Sequence, residues 1–116
     1  GCTGLTSIRI PNSVTEIEDY MFSGCTGLTS IEIPHTVSVG ANALYGCTRL
    51  ISIEIPNSVT IIKDATVGGC TGLTSIDIAN SVTGIETNVF YGCTKLTSIK
   101  IPNSVTEIGQ STFEGC

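Results

Sequence analysis

The most reactive groups in this sequence are six thiols, Cys2, Cys25, Cys47, Cys70, Cys93 and Cys116, which recur at intervals of 22 or 23 residues. Such a series could bind metal, form disulfides or fill a core. Zinc sites need ligands that converge, commonly as closely spaced Cys pairs, and no pair of that kind occurs. If successive thiols stack in neighbouring turns of chain, they stand about 4.8 Å apart, the spacing of adjacent strands. That lies within the Cα range of a disulfide but is slightly too far between inward Cβ atoms for relaxed geometry. The reading adopted is a ladder of buried, reduced thiols that serve as small apolar side chains. Cys2 and Cys116, at the two ends of the series, are expected to be more accessible than the four between them.

His35 is the only histidine, and no Cys, Ser or Asp is fixed beside it by spacing, so it reads as a turn residue replacing Asn and not as a catalytic base. No Gly-rich phosphate loop follows a strand and opens a helix. A row of charges is more informative: Arg9, Glu32, Glu54, Asp77 and Lys100 occupy one repeating position. Carboxylates at about 4.8 Å repel by about 0.9 kcal/mol even in water, and the flanking bases offset part of this. The row reads as a solvated charge ladder or as an acidic stripe that receives a basic partner. Calcium fits less well, because one carboxylate per repeat brings few oxygens together. Rows of hydroxyls accompany the charges, at Ser7, Ser30, Ser52, Ser75 and Ser98, and at Thr6, Thr29, Thr74 and Thr97 with Ile51 interrupting. They suit glycan or backbone contacts and are also ordinary sheet surface. Ile61, Tyr45 and Tyr91 are contact candidates if exposed. With no titratable pair placed to do chemistry, the chain reads as non-enzymatic, with no cofactor.

The elements that must hold these side chains follow from a repeat. Gly-Cys recurs at steps of 23, 22, 23, 23 and 23 residues, so the array 1–116 divides into coils 1–23, 24–45, 46–68, 69–91 and 92–114 and the start of a sixth at 115–116. A fixed period of this length marks a solenoid, in which each unit buries its apolar face against its neighbours. The consensus is G-C-T-x-L-T-S-I-x-I-P-N-S-V-T-x-I-x-x-x-x-F-x. Its apolar columns begin at Leu5, Ile8, Ile10, Val14, Ile17 and Phe22 and define the predicted core. S-I-x-I alternates inward and outward and predicts one short parallel strand per coil. P-N-S turns the chain, V-T-x-I could add a second, shorter strand, and the segment before Phe is too short for a helix. The short coil lacks, on this alignment, the counterpart of Glu16, between Ser38 and Val39.

The motif C-T-x-L-T-S-I-x-I-P-N-S-V-T-x-I-x-x-x-x-F-x-x-C resembles the BspA-like (Treponema pallidum type) leucine-rich repeat over the whole chain. Departures are Ala79 in place of Pro, His35 in place of Asn, and Ala before the Phe column only as Ala43. The resemblance implies a right-handed horseshoe with the S-I-x-I strands on its concave side, and a bacterial or protist surface adhesin, hence an extracellular or cell-surface location.

Bulk properties narrow the partners. A net charge of -5 with only five Lys and Arg argues against nucleic acid. No apolar run is long enough to span a membrane, and the absence of a leader in a stretch that opens inside a repeat implies a segment upstream. The expected partner is a protein or glycan on a cell surface or matrix. Repeat arrays usually carry polar caps, yet the first and last copies are as regular as the rest. Leu5, Ile8, Ile10 and Phe22 at one end and Leu96, Ile99, Ile101 and Phe113 at the other should then face water. This predicts either a piece of a longer array or self-association by end-to-end stacking, with an extracellular fibril as the alternative to an adhesive scaffold.

Overall fold

The computed structural model describes residues 4–116 and contains short strands, turns and no helix among them. Cys2 lies outside the described residues. Nine strands follow in chain order: β1 Ser7–Arg9, β2 Glu16–Ile17, β3 Ser30–Glu32, β4 Ser38–Val39, β5 Ser52–Glu54, β6 Ile61–Ile62, β7 Ser75–Asp77, β8 Gly84–Ile85 and β9 Glu107–Ile108. The odd-numbered strands up to β7 come from S-I-x, and the others from the V-T-x-I stretch, so both expected strands form in the first four coils. In the fifth coil only β9 forms, and Ser98–Lys100 is not a strand, for which the repeat offers no physical reason. Every pairing is parallel and joins equivalent residues, as Ser7 with Ser30 and Ile61 with Gly84. The result is a parallel β-solenoid measuring 37 × 32 × 19 Å.

The sheets are not continuous. One strand face consists of β1–β3 and, separately, β5–β7; the other of β2–β4 and, separately, β6–β8–β9. Both faces therefore part between the second and third coils. Within intact pairs Thr29 N–H and Thr74 N–H reach Thr6 O and Ile51 O at 2.8 Å, whereas across the joint Ile51 N–H reaches Thr29 O at 3.4 Å. The second coil is the short one. Its register corrects the alignment above: Ser38 lies opposite Glu16 and its N–H donates to Thr15 O. The missing residue is the counterpart of Thr15, between Val37 and Ser38.

The turn segment that closes each coil carries the continuous ladder instead. Tyr20, Phe22 and Gly24 donate their N–H groups to Ala41, Ala43 and Tyr45, and Asn42, Leu44 and Gly46 donate to Asp64, Thr66 and Gly68. Ala65 and Gly69 donate to Thr87 and Tyr91, and Asn88, Phe90 and Gly92 to Gln110, Thr112 and Glu114. This ladder crosses the joint at 2.8–2.9 Å. Its geometry explains the Gly of the Gly-Cys pairs among the described residues: Gly24, Gly46, Gly69, Gly92 and Gly115 have φ between 71 and 83°, a region that favours glycine. A second left-handed residue precedes it in each coil, at Tyr20, Asn42, Ala65, Asn88 and Ser111, with φ of 51–62°. The sequence signals this position only at its two Asn residues.

The core follows the predicted columns. Leu28, Leu50, Leu73 and Leu96 are buried, as are Val37, Val59 and Val82, and Ile17, Val39, Ile62 and Ile85. Each such side chain contributes roughly 1.5–3 kcal/mol on burial. One inward column escaped the sequence reading. Ala43, Thr66, Val89 and Thr112, just before the Phe column, are buried, while their counterpart Met21 is exposed. The end coils are less bare than expected: Phe22 and Ile10 are 8% and 7% exposed and Leu96 4%, and Leu5, Ile8, Ile99 and Ile101 are half-buried. An inward side chain points at the far wall of its own coil, so a missing neighbour uncovers only part of it. Ile108 and Phe113, at 48% and 40%, are the large apolar residues of the last coil that remain open, although Phe113 stacks on Phe90 with ring centroids 5.6 Å apart.

Candidate functional site

Period-two alternation buries the central Ile of each S-I-x strand wholly or partly and turns its flanking residues outward. Arg9, Glu32, Glu54, Asp77 and Lys100 are all exposed. The strand ladder joins four of them as two pairs. Arg9 opposes Glu32 in register, with Nε 3.7 Å from Glu32 Oε2. Such an exposed pair is worth at most about 1 kcal/mol. Glu54 opposes Asp77, a like-charge pair, and Lys100 stands outside any strand. Glu32 and Glu54 are not strand partners across the joint, so within the ladder Glu32 is neutralised by Arg9 while Glu54 and Asp77 form an acidic pair.

His35 does more than replace an Asn in a turn. Its Nδ1 accepts the backbone N–H of Asn57 at 2.8 Å, and its Nε2 lies 3.4 Å from Glu54 Oε1. Both contacts cross the joint where the strand ladder fails. Because Nδ1 accepts, the ring proton sits on Nε2, directed at Glu54. Sequence reasoning missed this role because both partners lie a full coil away. Arg9, Asn12, Glu32, Pro34, His35 and Glu54 line a shallow groove of about 280 Å³ beside the joint.

The hydroxyl rows are partly occupied. Thr29 Oγ1 donates to Thr6 O at 3.0 Å and Thr74 Oγ1 to Ile51 O at 3.2 Å, so these groups reinforce coil stacking before they meet a partner. Ile51, which interrupts the Thr row, is 54% exposed. The Ser of the P-N-S turns behaves similarly: Ser58 Oγ donates to Val37 O and Ser81 Oγ to Val59 O at 2.8 Å. Ser104 Oγ is buried without a partner among the described residues.

The thiols at Cys25, Cys47, Cys70 and Cys93 are fully buried, and Cys116 is exposed. They are more than apolar filler. Cys47 Sγ donates to Phe22 O, Cys70 Sγ to Leu44 O, Cys93 Sγ to Val67 O and Cys116 Sγ to Phe90 O, at 3.2–3.3 Å. Each of these carbonyls already accepts the N–H of the Cys three residues further on, so the thiol engages its second lone pair. Burial, with the facing thiol of Cys25 and of Cys116 respectively, pushes Cys47 and Cys93 up to about 11, and burial with the thiols of Cys47 and Cys93 on either side pushes Cys70 higher still. Nucleophilic or redox chemistry needs the thiolate, which this setting suppresses. Among the described residues no three His, Cys, Asp or Glu side chains converge as metal ligands, and no helix is long and apolar enough to cross a membrane.

Residues 1–116 match the family model described as the BspA type leucine-rich repeat region, in six copies. A leucine-rich cell surface protein from Faecalibacterium prausnitzii is similar over 95% of this chain and 29% of its own, at 39% identity and a TM-score of 0.91. The leucine-rich repeat protein of T. pallidum is similar over 95% of this chain and 54% of its own, at 31% identity and a TM-score of 0.90. One from Bacteroides ovatus reaches 26% identity and 0.74, over 98% of this chain and 36% of its own. This chain thus spans about half or less of the length of each of these structures. No curated protein sequence matches it.

Proposed function

Because the chain belongs to the BspA-type leucine-rich repeat family, we propose that it is a non-enzymatic scaffold of a cell-surface or secreted protein that binds another protein through its strand face. The observation that carries this reading is the exposed, in-register Glu54–Asp77 pair, an acidic centre with Lys100 beside Asp77. Like charges held opposite each other cost stability, and a basic partner surface would relieve them while gaining complementarity and association rate. The cell-surface description of the Faecalibacterium protein supports the location.

The test reverses the charges at Glu32, Glu54 and Asp77 to Lys and measures binding to cell-surface and matrix proteins by surface plasmon resonance at rising salt. Binding should weaken at least about tenfold and lose its salt dependence. Unchanged binding by the triple variant would remove the acidic centre from the interface. Assembly into an extracellular fibril by coil stacking is a second reading, supported by the exposed Ile108 and Phe113. Rods of uniform width in electron micrographs of the purified chain would favour it, and a monodisperse monomer at high concentration would exclude it.

A further inference from the structure

We propose that the turn face carries a separate binding site for an uncharged glycan, in the depression between Tyr45 and Tyr91. The two tyrosines occupy the same column two coils apart, and each is 44% exposed. Two strand spacings put them about 10 Å apart. The residue between them in that column is Gly68. A Cβ there would stand 3.1 Å from Tyr45 Cδ2 and 3.2 Å from its Cε2. The missing side chain is therefore what lets the Tyr45 ring lean over the third coil. The depression between the rings, about 490 Å³, is lined by Asn42, Tyr45, Ala65, Asn88 and Tyr91.

The chemistry of this lining selects its ligand. None of the lining residues is charged, unlike those of the groove on the strand face, so the occupant is neutral. Asn42 and Asn88 are half-buried, and their side-chain amides have no hydrogen-bond partner among the described residues. Each amide offers both donors and an acceptor. Their left-handed backbone, with φ of 57 and 60°, is fixed by the turn ladder, through Asn42 N–H to Asp64 O and Asn88 N–H to Gln110 O, so the side chains project from a rigid floor. A tyrosine ring combines an apolar face with a polar tip. A pyranose matches both features: its C–H face lies on an aromatic ring, and its hydroxyls donate and accept as amides do. A proline-rich peptide also packs on aromatic rings, but its tertiary amides only accept and would leave the Asn acceptors unused.

The chain has three tyrosines and no tryptophan, so tyrosine emission reports on the site with only Tyr20 as background. The intact chain is titrated with maltotetraose, cellotetraose and an α-mannotriose, with sialyllactose as a charged comparator and a proline-rich peptide as a competitor class. At least one neutral oligosaccharide should change the emission saturably. Tyr91→Ala, and separately Gly68→Ala, should weaken that binding by about tenfold or more while far-UV circular dichroism shows the fold unchanged. The charge-reversed strand-face variant should bind the sugar as the unmodified chain does, which keeps this site distinguishable from the protein interface proposed above. The inference is overturned if no neutral sugar gives saturable binding, if Tyr91→Ala and Gly68→Ala bind as tightly as the parent, or if only the charged sugar or the peptide occupies the site.

Discussion

The strand faces and the turn face of this solenoid reverse the roles their sequences suggest. S-I-x-I is the most regular phrase in the chain, yet its ladder stops between the second and third coils. The turn segment is the most variable, with Met21, Ala43, Thr66, Val89 and Thr112 in one column and Tyr20, Asn42, Ala65, Asn88 and Ser111 in another, yet its hydrogen bonds run through every described coil. Continuity here depends on backbone direction, which many side chains tolerate, while the strand ladder depends on residue count. One missing residue in the second coil coincides with the parting of both strand faces and leaves the turn ladder intact.

That contrast is sharpened first by deleting core from the turn face. Phe90→Ala, at a fully buried position flanked by ladder hydrogen bonds, should destabilise by about 3–5 kcal/mol. Ile76→Val on the strand face should cost only about 0.5–1.5 kcal/mol. Urea denaturation of the two variants compares them, and equal losses would show that the turn face has no special weight.

Backbone conformation comes next. Gly69, at φ +71° with its Cβ position otherwise clear of contacts under 3.7 Å, isolates the conformational term. Gly69→Ala should cost about 1–2 kcal/mol. Ala65, already left-handed at φ 51°, should gain a few tenths to about 1 kcal/mol on replacement by Asn, the residue found at the same position as Asn42 and Asn88. Thermal midpoints that move in the same direction for both substitutions would contradict this account.

The thiols test the coupling of one coil to the next. Cys70→Ser keeps a donor for Leu44 O, so it should cost less than Cys70→Ala, which loses both volume and the hydrogen bond, with each effect on the order of 1 kcal/mol. The pH dependence follows from the raised values. An unfolded thiol ionises near 9.0 and the folded Cys47 and Cys93 near 11. Above pH 9 the unfolded chain therefore sheds protons that the folded chain retains, and stability falls as pH rises from about 9 through 11. A melting temperature flat across that window would show that the column is open to solvent.

The smallest effect is expected at the joint. His35→Ala should remove the acceptor of Asn57 N–H and speed hydrogen exchange of that amide, with a change in global stability of no more than about 1 kcal/mol. Exchange that also accelerates at Asn42, Leu44 and Gly46 would mean that the turn ladder does not carry the joint independently.

The columns that a reader could see are those whose residue type repeats. Leu, Ile, Val and Cys recur at one spacing, and burial of Leu28, Leu50 and Leu73 follows directly. The column of Ala43, Thr66 and Val89 varies in type because it sits where the turn backbone, not apolar character, sets the inward direction. Thr66 satisfies its own hydroxyl on Lys63 O at 2.8 Å, so a polar residue is tolerated there. In the candidate site, exposure of Arg9, Glu32, Glu54, Asp77 and Lys100 was legible from alternation. Their partners were not, because the break between Glu32 and Glu54 and the reach of His35 depend on how the short coil sits against its neighbour.

The main-chain ladder of the turn face runs one way. The ladder N–H groups, from Tyr20, Phe22 and Gly24 to Asn88, Phe90 and Gly92, donate to carbonyls 21 or 22 residues further on, while Cys47, Cys70, Cys93 and Cys116 give their thiols to carbonyls 25 or 26 residues back. The stack therefore has a sense, like an arrow. Two such stacks placed head to head would set donors against donors, and tail to tail acceptors against acceptors. On the turn face, a coil added in the same orientation would continue this pattern, whereas a two-fold symmetric pairing of like ends would leave it unmatched there.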